Sequence, residues 1–191
     1  MADDAEAAHS TSAGGNGAAR IGRISEKPEL DGRKWPGHSV LVVPVPPLEA
    51  LVRSRTVHYD AAFLSCDPMF AHAHVTLLGP FVEVLTTEVR RRVDRVLRRH
   101  RRFSACFEEV AQFPDGMIHV VPHDAAPFRR LTADLAAAFP EHPPYGGRYP
   151  DPRPHVTVDR LSAAVDVPTV ESWVAPLVPA RVEVSQVRLS W

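Results

Sequence analysis

Ala73-His74-Val75-Thr76-Leu77-Leu78-Gly79-Pro80-Phe81-Val82 is a run of aliphatic and β-branched residues in which an imidazole and a hydroxyl stand two positions apart. Such residues favour a strand, where positions i and i+2 project to one face and i+1 and i+3 to the other. His74 and Thr76 then share a polar face, while Val75 and Leu77 point into apolar packing. The pattern returns in Pro154-His155-Val156-Thr157-Val158-Asp159, with Val156 and Val158 on the packed face and His155 and Thr157 on the other.

The elements around the two stretches follow one order twice. Ser39–Val45 is a short apolar run that predicts a buried strand, with Pro44 marking an edge or a bulge. Pro47 opens a helix that carries Leu48, Leu51 and Val52 toward Tyr59. Beyond the first His-Thr strand, Thr86 or Thr87 caps a helix whose apolar stripe is Val89, Val93, Val96 and Leu97. Phe103–Val110 alternates as a strand, and Phe113-Pro114-Asp115-Gly116 supplies the turn into a strand over Met117–Val121. Asp124 caps a helix with Phe128, Leu131, Leu135 and Phe139 at 3-to-4 spacing, and Pro140 stops it. An irregular loop from Glu141 to Pro154 leads into the second His-Thr strand. Pro168 opens a last helix, and Val182–Leu189 closes as a strand whose phase slip near Ser185-Gln186 reads as a bulge. Two such halves related by an approximate two-fold axis place His74 and His155 across one cleft.

A chain of 191 residues is long enough for one compact domain. That domain is expected over residues 38–191, because residues 1–37 are polar and aperiodic and read as a disordered tail. The formal net charge of −1 carries no global field for nucleic acid or membranes, so phosphate recognition has to be local. Cys66 and Cys106 have no metal or redox spacing and read as two unpaired, buried thiols of a reducing compartment. The N-terminus lacks the basic start and apolar run of a signal or transit peptide, and no segment reaches the roughly 18 apolar residues of a membrane span. A soluble, cytoplasmic monomer is expected.

Opposed imidazoles suit displacement at phosphorus, in which one group removes a proton from the attacking oxygen and another protonates the leaving oxygen. Histidine, with an unperturbed pKa of about 6.5, supplies both forms near neutrality. No metal or cofactor is required by this scheme. The hydroxyls of Thr76 and Thr157 would donate to non-bridging phosphate oxygens as charge grows on them.

Two copies of His-x-Thr, the first running into Leu-Leu-Gly-Pro-Phe and the second preceded by Pro, resemble the 2H phosphoesterase superfamily and its 2′-5′ RNA ligase-like branch, from His38 to Trp191. Arg55, Tyr59-Asp60, Phe113–Gly116 and Tyr145-Gly146-Gly147-Arg148-Tyr149 agree with it. The resemblance implies a bilobal α+β fold, with two antiparallel sheets flanking a central cleft and helices outside. It also implies metal-independent hydrolysis of 2′,3′-cyclic phosphate ends of RNA or of small cyclic nucleotides, carried by His74, Thr76, His155 and Thr157. His155 is favoured as the base on water and His74 as the acid, with the reverse assignment open. A nucleotide- or RNA-binding module of the same fold without significant turnover is the alternative.

Other residues are candidates for holding substrate. Tyr145 and Tyr149 can stack on a base and Arg148 can meet a phosphate. His72, two positions before His74, and Arg153, at the equivalent place before His155, are read as rim residues. His119 lies on a strand that either lines the cleft or is buried. Arg90, Arg91, Arg92, Arg95, Arg98 and Arg99 surround the apolar stripe of their helix on all exposed sides and read as an ordinary solvated surface.

Overall fold

The computed structural model describes residues 19–22, 24, 39–61, 64–65 and 70–191. The first half runs through strand β1 (Val40–Pro44), helix α1 (Glu49–Tyr59), β2 (His74–Leu78), α2 (Thr87–Leu97) and β3 (Phe103–Gln112). The second runs through β4 (Met117–Pro122), α3 (Ala126–Ala138), β5 (Val156–Arg160), α4 (Val167–Val174) and β6 (Ala180–Val184), and a short β7 (Arg188–Ser190) follows. The strand and helix order read from the sequence is thus present twice.

The strands form two antiparallel sheets, one ordered β2-β1-β7 and the other β5-β4-β3-β6, which makes the fold α+β. Each half completes its sheet with chain from the other. Strand β3 leaves the first half to pair with β4, and β7 comes back from the second half to pair with β1. The phase slip at Ser185-Gln186 is therefore not a bulge. It is the point where the chain crosses from the four-stranded sheet, as β6, to the three-stranded one, as β7.

Pro44 does not mark an edge, since β1 is the central strand of its sheet, but the pairing of β1 with β2 is irregular between Leu41 and Val42, two residues before it. Pro44 is tolerated in β1 because β7 pairs only with Val40, Leu41 and Val42, so no ladder partner demands an N–H at position 44 on that side. Side chains cap α2 and α4. The Thr86 hydroxyl accepts from the Val89 N–H at 3.2 Å, and the Asp166 carboxylate accepts from the Thr169 N–H at 2.9 Å. Helix α3, in contrast, is not capped by Asp124 as expected: its N-cap is Ala125, which has no side-chain cap hydrogen bond, and the Asp124 carboxylate accepts instead from the Ala126 N–H at 2.9 Å, one position too early to cap it. Val93, Val96 and Leu97 of α2 are buried, as are Phe128, Leu131 and Leu135 of α3, and the two helices pack on each other. Among the described residues no helix is long and apolar enough to cross a membrane. Cys66 lies outside the described residues; Cys106 is a free thiol, half-buried rather than buried as expected.

Residues 19–22 and 24 differ from the tail expected of them. Ile21 and Ile24 are buried in the core. The Ile21 N–H donates to the His100 carbonyl at 3.0 Å, the Gly22 N–H to the Ser185 carbonyl at 2.7 Å, and the Ile24 N–H to the Asp94 carboxylate at 3.0 Å. Two isoleucines in an otherwise polar stretch carry no periodicity, so the pattern could not announce them. The rest of the expected tail, residues 1–18, 23 and 25–37, falls outside the described residues. Ile21→Ala is expected to cost about 2 kcal/mol or more, the usual scale for emptying a buried isoleucine site. Urea denaturation measures this, and an unchanged midpoint would show that the strap contributes nothing.

Candidate active site

Strands β2 and β5 are the edge strands of their two sheets, and they lie against each other where the sheets meet. His74 is the first residue of β2, and His155 immediately precedes β5. Burial alternates as the sequence predicts: Val75, Leu77, Val156 and Val158 are buried, while His74, Thr76, His155 and Thr157 keep partial exposure. The charge of each imidazole reaches the other, because His155 is among the groups that lower the His74 pKa.

Both rings are anchored in the same way. Nδ1 of His74 lies 2.6 Å from the Ala71 carbonyl oxygen, and Nδ1 of His155 lies 2.7 Å from that of Arg153. A carbonyl only accepts, so Nδ1 carries a proton in each ring and Nε2 is left as the atom that takes up or releases one. Burial pushes both pKa values below the ordinary imidazole value, and these carbonyls partly oppose it. Asp115 also works against burial at His155, as Glu49 does at His74.

Beside His155 stands a wall of aromatic rings that the sequence did not resolve. His119 of β4 pairs with Thr157 in the register of the sheet and therefore shares its face. Its ring stacks on Phe113 at 3.8 Å between centroids and sits 5.2 Å from the His155 ring, while Phe113 meets His155 edge-on at 4.8 Å. His119 is almost fully buried, and burial first, then the nearby His155, lowers its pKa to about 4. On the other side, Phe70 lies edge-on to His74 at 5.8 Å.

The candidate substrate residues fall into three groups. Tyr145 belongs to the site, because its hydroxyl is hydrogen-bonded to the Thr76 side chain and its backbone N–H donates to the Gly79 carbonyl at 2.5 Å. It adopts a positive φ of 53°, uncommon for a residue with a side chain, within the 3-10 turn Pro144–Gly147. Tyr149 is exposed, with its ring 5.6 Å from that of Tyr145 and the Arg148 guanidinium over it. The Arg153 side chain is exposed beside His155, and its carbonyl is the anchor described above. His72, in contrast, is buried rather than on the rim. It lies in a bend before β2, where strand alternation has not begun, and Nδ1 sits 3.0 Å from the Glu49 carboxylate.

A further link spans the two halves. The Arg55 Nε of α1 donates to the buried Asp159 carboxylate of β5 at 2.5 Å, and its guanidinium lies over the Trp173 ring at 4.2 Å. Asp159 continues the face of His155 and Thr157 by two positions, so this pair ties the His-Thr strand of one half to a helix of the other. Among the described residues no group of three His, Cys, Asp or Glu side chains is placed to hold a metal ion.

A family model described as the 2′-5′ RNA ligase superfamily matches residues 32–191. Among solved structures, Escherichia coli LigT complexed with 3′-AMP is 19% identical, with 70% of this chain and 79% of that one covered and a TM-score of 0.44. The same protein complexed with NADP+ is 16% identical, covering 81% and 86% at a TM-score of 0.46. A crystal structure called a phosphoesterase is 14% identical, covering 81% and 87% at 0.48. A search of curated proteins finds no match.

The depressed pKa of His119 carries a stability prediction. The unfolded chain binds its proton near pH 6.5, whereas the folded one refuses it until about pH 4, so stability rises with pH between those values. The contribution is complete above about 6.5 and is lost as pH falls toward 4. His119→Leu should flatten this part of the curve of unfolding free energy against pH. An unaltered slope in the variant would mean that His119 is not held neutral.

Proposed function

Since the chain belongs to the 2′-5′ RNA ligase superfamily, within the 2H phosphoesterases, we propose that it is a phosphodiesterase that opens 2′,3′-cyclic phosphate ends of RNA or of nucleotides. The observation that carries the reading is the matched tautomer of His74 and His155, each anchored at Nδ1 with Nε2 free to exchange a proton. In the scheme His155 Nε2 takes a proton from water as the water oxygen bonds to phosphorus. The bond from phosphorus to one ribose oxygen breaks, and His74 Nε2 delivers a proton to that oxygen. The product is a phosphomonoester, and exchange with solvent returns both imidazoles to their starting forms.

Thr76 and Thr157 donate to the non-bridging oxygens, and Tyr145 sets the rotamer of Thr76 through their hydrogen bond. Tyr149, Arg148 and Arg153 are assigned to the nucleotide beyond the phosphate, as exposed aromatic and cationic groups beside the site. The scheme needs no metal, and we place the enzyme in the cytoplasm as a monomer. A nucleotide-binding module without turnover is the second reading. It is favoured by one observation, that burial lowers both imidazoles and leaves the free protein short of a proton donor at neutral pH. The negative charge of a bound phosphate reverses that effect, which is why the enzyme reading is preferred.

Hydrolysis of 2′,3′-cyclic nucleotides and of cyclic-ended oligonucleotides, followed by chromatography of the product isomers, tests the proposal. Activity is expected to persist in EDTA, and loss on chelation would direct attention to a metal. His74→Ala and His155→Ala should each lower kcat by about a hundredfold or more without unfolding the protein. A normal rate in either would remove the two-histidine scheme. The profile of kcat/KM against pH reports the free enzyme, so its bell should centre on the acid side of the ordinary imidazole value.

A further inference from the structure

Glu49, the first residue of α1, reaches from the helix to the bend that precedes β2. One carboxylate oxygen, Oε1, accepts from the His72 N–H at 3.1 Å and lies 3.0 Å from His72 Nδ1. The other, Oε2, accepts from the Ala73 N–H at 2.8 Å. Every partner is a donor, which a carboxylate satisfies and a neutral amide, with its own N–H groups, satisfies only in part. Burial raises the pKa of Glu49, but these donors outweigh it and hold the value below the ordinary one, so the group is an anion at neutral pH.

The His72 N–H and the Ala71 carbonyl are the two ends of one peptide unit. That unit is planar and trans, with its N–H and C=O pointing in opposite directions. The carbonyl end receives the Nδ1–H of His74 at 2.6 Å. We propose that Glu49 is a positioning residue that acts on His74 through the Ala71–His72 peptide: the carboxylate grips the amide end, and the carbonyl end thereby holds the imidazole. The negative charge at one end polarises the peptide and strengthens the carbonyl as an acceptor at the other, as in any chain of hydrogen bonds. It favours the imidazolium form of His74, in the direction that Glu49 acts on this ring against burial.

The second half cannot build this device. His155 is held by the Arg153 carbonyl, and the peptide that follows Arg153 is made to Pro154, which has no N–H to offer a carboxylate. The duplication thus supplies two imidazoles in the same tautomer, but only His74 has an anion coupled to its anchor. Resting on the reading of the site as a two-histidine phosphodiesterase, this asymmetry assigns the roles: His74 is the ring that holds a proton for the leaving oxygen, and His155 is the base. The charged and titratable groups around His74 are Glu49, His72 and His155; around His155 they are His74, His119, Asp115 and Arg153.

The test is titration of the individual imidazoles by NMR in the full chain labelled with nitrogen-15, comparing the wild type with Glu49→Gln. The expected result is a His74 midpoint displaced to lower pH and a His155 midpoint left in place. In the same variant kcat for a 2′,3′-cyclic nucleotide should fall about tenfold, as when an orienting partner of a functional histidine is lost. The alkaline limb of its pH profile should move to lower pH. A folded Glu49→Gln protein with an unmoved His74 midpoint overturns the proposal. If the variant does not fold, the wild type decides: the His72 amide nitrogen and proton shifts should follow the His74 titration, and a response confined to other midpoints overturns the relay. The NMR readout needs no substrate. A displaced midpoint in a protein that hydrolyses no cyclic phosphate would keep the relay and reject the enzymatic reading.

Discussion

The arrangement of the site depends on one constraint: the His-Thr strands must each remain the outer edge of a sheet, and they must face one another. A sheet of two strands alone is too small to bury a face, so each His-Thr strand and its antiparallel partner need a further strand on the side away from the cleft. The fold obtains it by exchange. Strand β3 builds outward from the β4–β5 pair, and β7 builds outward from the β1–β2 pair, so neither His-Thr strand is covered. Exposed edges ordinarily invite pairing with other chains. Here the two edges confront each other, with the Arg55–Asp159 pair crossing between the halves.

That confrontation also sets the electrochemistry. An imidazole on the edge of a packed sheet loses water, and the loss of water disfavours its charged form. The structure compensates locally, with a carbonyl at each Nδ1, which directs Nε2 to the exchange of a proton. The rings are therefore oriented without being charged. On the His155 side, Phe113 and the neutral His119 add orientation and no competing cation.

Much of this could be read from the residues, because it rests on short-range rules. The alternation of His74, Val75, Thr76 and Leu77 fixes which side chains share a face, and Thr86 marks a helix start whatever lies around it. What the sequence hid depends on register and on long-range contacts. His119 joins the site because it stands opposite Thr157, a pairing that no local pattern encodes. Ser185-Gln186 breaks the period of a strand in the same way whether the chain bulges or changes sheets, and only the partners distinguish the two. His72 shows the limit of extrapolating alternation past the end of a strand, because a bend turns it beneath the surface and toward Glu49.

Internal duplication explains why two equivalent imidazoles exist, yet acid–base chemistry requires them to differ. Symmetry therefore has to be broken near the rings, and it is broken at the residues that support them rather than at the His-x-Thr motifs. Pro154 removes an amide from the peptide that anchors His155, while the corresponding peptide before His74 keeps one and presents it to a carboxylate. Stacked Phe113 and His119 flank one ring, and an edge-on Phe70 flanks the other. Each of these differences lies in a group behind or beside an imidazole rather than in the His-x-Thr motif itself. A duplicated fold can thus keep identical motifs on both strands and still give the two histidines unequal affinity for a proton, because that affinity is set in the peptides and rings behind them.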